Sequence, residues 1–260
     1  MRNADISLNR SLVALIDLPA ALGLLTRLPV PVDSAAATAR GAAAAWAFPL
    51  AGVVVALIAS LVGTLALWLA LPVAVVAGLI LATTIMVTGA MHEDGLADTA
   101  DGFWGGWDVA RRLEIMKDSA IGTYGVLALG LSLLLRWAAL VAIVSAGHLW
   151  APLIVVAAVS RAPMVAIMAG LPNARAGGLS QSVGRPNGLT AVLAALIALI
   201  VALIFLPWSA FALMVFVPLA GFACAMIALA KINGQTGDTL GATQQICEIA
   251  ALAVVAAQLA

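Results

Sequence analysis

Residues 189–206, LTAVLAALIALIVALIFL, carry no charge, no proline and no glycine over eighteen positions. Crossing a hydrocarbon core takes about 20 helical residues, so this run reads as a membrane-spanning helix. Working outward, the pattern repeats. Runs at 46–71, 73–91, 121–147, 150–170, 209–230 and 239–260 are also apolar and long enough, or nearly so. Pro72, Pro152, Pro172 and Pro207 fall near their ends, where a broken helix does least damage. Pro163 and Pro218 lie inside runs and should kink them, which bundles in lipid tolerate. No useful length of β-alternation occurs. The chain is 64% hydrophobic and 9% charged, with mean hydropathy +1.15; a soluble domain carries about 25% charged residues. The expected fold class is therefore all-α: a polytopic integral membrane protein of about seven transmembrane helices, one domain over 1–260.

Charge sets the remaining bounds. Twelve Lys and Arg balance twelve Asp and Glu, leaving no net field to attract nucleic acid. Cys224 and Cys247 sit in apolar runs and read as small buried hydrophobes. The N-terminus lacks a signal-peptide pattern. Residues 1–40 read as a cytoplasmic or interfacial segment, with 11–25 lying on the membrane surface. Arg2, Arg10, Arg27 and Arg40 precede the first span. The long connections 92–120, 171–188 and 231–238 carry Arg111, Arg112, Lys117, Arg175, Arg185 and Lys231, whereas the connections near 72, 148 and 207 have no Lys or Arg. Under the positive-inside rule the long connections all face the cytoplasm, and the C-terminus lies outside.

The acids are concentrated. Residues 92–118 hold seven of the twelve carboxylates. Asp94, Asp98 and Asp101, at i, i+4 and i+7, fall within about 60° on one helix face, and like charges so placed repel unless a cation joins them. Arg111, Glu114 and Asp118 share a face of the following helix, and Gly102, Gly105 and Gly106 permit the turn between the two. Five converging carboxylates (Asp94, Asp98, Asp101, Glu114 and Asp118) could hold two Mg²⁺ ions, with Arg111, Arg112 and Lys117 meeting phosphate oxygens. That pattern suits in-line displacement at phosphorus. Segment 92–120 is the expected catalytic segment, with Asp118, Lys117 and Arg111 nearest the chemistry. His92 reads as an interfacial hydrogen-bonder, Glu93 as solvated, and Trp104 and Trp107 as interfacial anchors.

A second constellation runs from Asn233 to Glu248. Gly234, Gly237 and Gly241 allow close backbone approach. Asp238 opens the last span, and Gln244, Gln245 and Glu248 lie roughly two to three turns into it. An acid inside an apolar helix needs a partner, and Arg136 and Arg161 are the candidates. Asp238, Gln245 and Glu248 are expected at the substrate, together with Arg27 of Thr26–Pro31 and with Arg112. The polar loop Asn173–Asn187 adds Arg175 and Arg185.

Laid out in this way, the chain resembles the adenosylcobinamide-GDP ribazoletransferase (cobalamin 5′-phosphate synthase) family along its full length. The resemblance is carried by Thr26-Arg-Leu-Pro-Val-Pro31, Phe48-Pro-Leu-Ala-Gly52, His92-Glu-Asp-Gly-Leu-Ala-Asp-Thr-Ala-Asp-Gly102, Glu114-Ile-Met-Lys-Asp-Ser119, Gly122-Thr-Tyr-Gly125 and Thr236-Gly-Asp-Thr-Leu-Gly-Ala242. Ala120 departs from it, standing where many members carry a basic residue. The resemblance implies Mg²⁺-assisted attack of α-ribazole, or its 5′-phosphate, on adenosylcobinamide-GDP at the bacterial inner membrane, with GMP leaving. It leaves room for homo-oligomerisation and for association with other cobalamin-assembly enzymes.

Two other readings compete. Asp98, Asp101, Gly102 and Glu114-x-x-x-Asp118 echo the CDP-alcohol phosphotransferases of phospholipid synthesis, but the Ala-Arg that should follow is absent and the spacing differs. A cation transporter would place its acids near the bilayer midplane on broken helices, whereas these crowd a helix end beside basic residues.

Overall fold

The structure, a computed structural model, describes residues 11–259; Arg2, Asp5 and Arg10 lie outside them. Its helices are α1 (Asp17–Leu25), α2 (Ser34–Arg40), α3 (Phe48–Trp68), α4 (Val73–Thr88), α5 (Met91–Gly105), α6 (Val109–Ile115), α7 (Thr123–Ser145), α8 (Trp150–Val159), α9 (Ala162–Gly170), α10 (Leu179–Val183), α11 (Gly188–Phe205), α12 (Pro207–Ile232) and α13 (Gly237–Leu259). A 3₁₀ segment, Gly41–Ala47, joins α2 to α3. No strand forms among the described residues; Asn173 and Gln235 make an isolated bridge.

Six segments are long and apolar enough to cross a membrane: Ser34–Trp68, α7, Trp150–Gly170, α11, α12 and α13. Counting the pair α4–α5, bent by 86°, as one broken span gives a seventh. The apolar runs of the sequence thus reappear as helices with ends shifted by a few residues. The run 150–170 is interrupted at Ser160–Arg161, just ahead of Pro163 at the start of α9. Pro218, by contrast, leaves α12 continuous over 26 residues. The 86° bend comes from the backbone: Gly89 and Ala90 are consecutive left-handed residues, with φ +65 and +57. At Ala90 that conformation costs about 1–2 kcal/mol.

Alanines line the helix contacts. Ala56, Ala59, Ala77, Ala198, Ala202 and Ala251 are buried, and small residues let helices approach closely where lipid supplies no hydrophobic drive between them. Leu131, Leu134, Ile204, Phe211 and Phe222 are exposed instead, as lipid-facing side chains must be.

Residues 11–25, read from the sequence as lying on the membrane surface, are tied to the bundle through Asp17. The Asp17 carboxylate accepts from Arg40 Nε at 2.6 Å, with both side chains fully buried, and from Trp46 Nε1 at 2.7 Å. A buried charge holds only when paired, so this ion pair docks α1 against the 3₁₀ segment and places Arg40 in the interior.

The polar connections meet at one end of the bundle. The Arg27 N–H donates to the Val87 carbonyl at 2.7 Å, and those of Ala174 and Gln235 donate to the Gln235 and Pro172 carbonyls at 2.8 and 2.9 Å. Arg112 Nη1 reaches the Lys231 carbonyl at 2.9 Å, and Lys231 Nζ reaches that of Phe103 at 3.1 Å. The charged motifs share one side, as their alternation along the chain requires.

Candidate active site

Helix α5 carries the acids and lies tightly against α13. A Cβ on Gly95 would fall 2.7 Å from the Asp238 carbonyl oxygen, and one on Gly241 would fall 3.3 Å from the His92 Cα. Glycine at both positions brings the start of α13, with Asp238, beside the acid face of α5. The α5–α6 turn is equally close: a Cβ on Gly102 would collide with Met116 Cγ. The connection after α6 therefore folds back over α5.

Between them lies a cavity of about 510 Å³, lined by Glu93, Asp94, Asp98, Lys117, Asp118 and Ala120 among others. Burial, and then the charges of Asp94, Asp238 and Asp101, push the Asp98 carboxyl up to about 7, against the pull of Arg175. That is an acid short of positive charge. Arg175 Nη2 pairs with Asp238 Oδ2 at 3.0 Å, so this arginine of the 171–188 loop does reach the site. Arg27 is exposed beside Gly89, at the α4–α5 bend, next to cavity-lining Ala90. Ala120 leaves the cavity wall uncharged where a basic side chain was expected.

The convergence of five carboxylates does not form. Asp101 is buried, and its oxygens accept from the Gly122 and Gly125 N–H groups at 2.7 and 2.9 Å. It caps α7, whose first N–H groups have no helical partner. Glu114 pairs with Arg111 at 2.8 Å on an exposed face, away from the cavity lining. Among the described residues no group of three or more His, Cys, Asp or Glu side chains is arranged to hold a metal ion. Arg112 is bound to the carbonyls of Gly106, Trp107 and Lys231, and Arg185 to those of Ala169 and Gly170. Each of these two arginines pins a chain turn and neither lines the cavity. Trp104 is half exposed, with Lys231 Nζ 5.1 Å from its ring centroid.

Beneath the cavity, and sharing Glu93 with its lining, is a buried network. Arg136 Nη1 donates to Glu93 Oε1 at 2.9 Å and to Gln245 Oε1 at 2.7 Å. Its Nε and Nη2 reach Glu248 Oε1 at 2.9 and 2.8 Å. Gln244 bonds Glu248, Ser160 and Gln245. Glu248 thus finds Arg136, one of its two expected partners, and Gln245 and Glu248 lie in this network instead of lining the cavity. Glu93 is the residue that sequence reasoning missed: it is 8% exposed, not solvated. His92, read as a hydrogen-bonder, is 2% exposed and its Nε2 is without a hydrogen-bond partner among the described residues. Charge arithmetic could have found Glu93. Two arginines in apolar spans, Arg136 and Arg161, need two acids, and Glu248 supplies one.

Fold and site together define a polytopic membrane protein with an acidic cavity at the polar end of its bundle. The chain belongs to the cobalamin-5-phosphate synthase family, whose profile matches residues 17–256. It is 46% identical over 242 residues to the adenosylcobinamide-GDP ribazoletransferase of Bradyrhizobium diazoefficiens, covering 93% of each chain. To the protein of that name from Azorhizobium caulinodans it is 44% identical over 251 residues, 92% of this chain and 94% of the relative. To that from Mesorhizobium japonicum it is 42% identical over 245 residues, 94% and 93% of the two chains. No solved structure matches. Family membership sets aside the phospholipid-synthase and transporter readings.

Proposed function

We propose that the chain joins α-ribazole, or its 5′-phosphate, to adenosylcobinamide-GDP at the cytoplasmic face of a bacterial inner membrane, with Mg²⁺ at the acid face of α5. The observation that carries this is the placement of Asp94, Asp98, Lys117 and Asp118 around one cavity, in a chain of this family. A ribazole hydroxyl oxygen forms a bond to the phosphorus attached to cobinamide. The P–O bond to the guanosine phosphate breaks, GMP leaves with the bridging oxygen, and the hydroxyl proton is released.

The cavity offers a hard divalent cation the oxygens of Asp94, Asp98 and Asp118. They do not close a three-acid cage, so substrate phosphate oxygens and water would complete the shell, and the crowding at Asp98 is what a cation would relieve. When bound, Mg²⁺ supplies charge neutralisation at the phosphate oxygens. Lys117 provides a protein cation at the same cavity, with Arg27 at its rim. Asp238 and Arg175 lie outside the cavity lining, but their pair keeps the α13 acid that bears on Asp98 from acting as an unanswered negative charge. Cytoplasmic orientation rests on the positive-inside rule, with Arg27, Arg111, Arg112, Lys117, Arg175 and Arg185 all on the polar connections.

The test is GMP release from adenosylcobinamide-GDP by purified protein in vesicles. Release should need both α-ribazole (or its phosphate) and Mg²⁺. Hydrolysis of the GDP ester without joining would overturn the reaction.

A further inference from the structure

The inner network holds charge that the proposed reaction does not use. Glu93 sits one residue before Asp94, in the first turn of α5, after the two left-handed residues of the bend. Its Oε1 accepts from Arg136 Nη1 and from Gln245 Nε2. Eight residues on, the Asp101 carboxylate holds the Gly122 and Gly125 N–H groups. The two acids pin the inner and outer ends of the same helix, and Asp94 and Asp98 lie between the pins, facing the cavity. Glu93 and Ala97 line the cavity beside Asp94 and Asp98, but Gly95 and Thr99 do not, so rotating α5 by one residue, about 100°, toward those two positions would carry both acids out of it.

Resting on that reading of the cavity, we infer that Glu93 is a positioning residue: through Arg136 it fixes the rotation of α5, and so where Asp94 and Asp98 point. What the position requires is one negative charge at Arg136 Nη1. The same Nη1 also donates to Gln245 Oε1, at 2.7 Å, so the geometry makes residues 93 and 245 interchangeable sources of that charge. Glu248, on the opposite edge of the guanidinium, supplies the second.

The experiment exchanges the charge. Glu93→Gln leaves Arg136 with one carboxylate. It should lower kcat about 100-fold, the scale of a ~1 Å misplacement, with KM for adenosylcobinamide-GDP within about twofold. Glu93→Gln with Gln245→Glu restores the carboxylate from α13 and should recover kcat to within about threefold of wild type. Melting curves in detergent report the fold of each variant. A folded double variant as slow as Glu93→Gln would overturn the inference, since Glu93 would then act by its own contact with ligand. Wild-type kinetics in Glu93→Gln would overturn it too, as would a double variant that does not fold. If the wild-type protein releases no GMP, the proposed reaction fails but the positioning does not. The same exchange is then read in the Mg²⁺-dependent shift of Tm, which Glu93→Gln should lose and the double variant regain.

Discussion

The acidic cavity and the network beneath it are built from the same residue types, yet they solve opposite electrostatic problems. Below, Glu93 and Glu248 flank Arg136, with buried Arg161 nearby. Arg136 lies thirteen residues into α7, about 20 Å from the polar end, and water cannot screen it there. Above, Asp94, Asp98 and Asp238 crowd together, and Arg175 alone answers them among the charges that bear on Asp98. One region balances its charges within the protein. The other is left short of positive charge, and that shortage is why the proposed cation is placed there.

Single substitutions should break this contrast in opposite directions. The largest effect is expected at Asp98. Asp98→Asn should abolish Mg²⁺-dependent GMP release, by about 1,000-fold or more, while raising Tm at neutral pH without divalent cation, because it removes a crowded charge. Arg136→Gln should do the reverse, destabilising the fold by about 3–5 kcal/mol because it strands two buried acids, as read in a detergent melt. Gly241→Ala, which puts a methyl group 3.3–3.4 Å from α5 backbone atoms, should cost about 1–3 kcal/mol by overpacking the α5–α13 contact.

A pH series sharpens the comparison further. The folded-state value for Asp98, about 7, lies above its ordinary 3.8. The folded protein therefore holds a proton that the unfolded chain has released. That stability is full below about pH 4 and is lost as pH rises through about 7. Without divalent cation, Tm should fall across this window, and Mg²⁺ should offset the fall at its upper end; Asp98→Asn should flatten it. The smallest effect belongs to Arg111→Lys. Arg111 and Glu114 form an exposed i,i+3 pair, worth about 0.2–0.5 kcal/mol, so kinetics should stay within about twofold of wild type.

The spans were legible because apolar length is a strong signal, and each run from 46–71 to 239–260 appears as a helix or a broken helix. The 86° bend was not legible. It rests on left-handed backbone at Gly89 and Ala90, and alanine gives no warning of it. Asp94 and Asp98 were legible from helical spacing. Spacing also placed Asp101 on their face, and tertiary structure overrode it: the N–H groups opening α7 took that carboxylate, a contact formed with residues 21 and 24 positions away. Glu114 failed for a different reason, since its neighbour Arg111 offered a local partner. Arg112 and Arg185 read as phosphate contacts because sequence cannot see the carbonyls they bind.

Divalent-cation binding at neutral pH tests the central claim most directly, measured calorimetrically on the purified protein and on two single-acid variants. Asp98→Asn should lose binding, and Glu114→Gln, which alters an acid from the same sequence cluster but outside the cavity, should keep wild-type affinity. Undiminished binding in Asp98→Asn, or its loss in Glu114→Gln, would contradict the account.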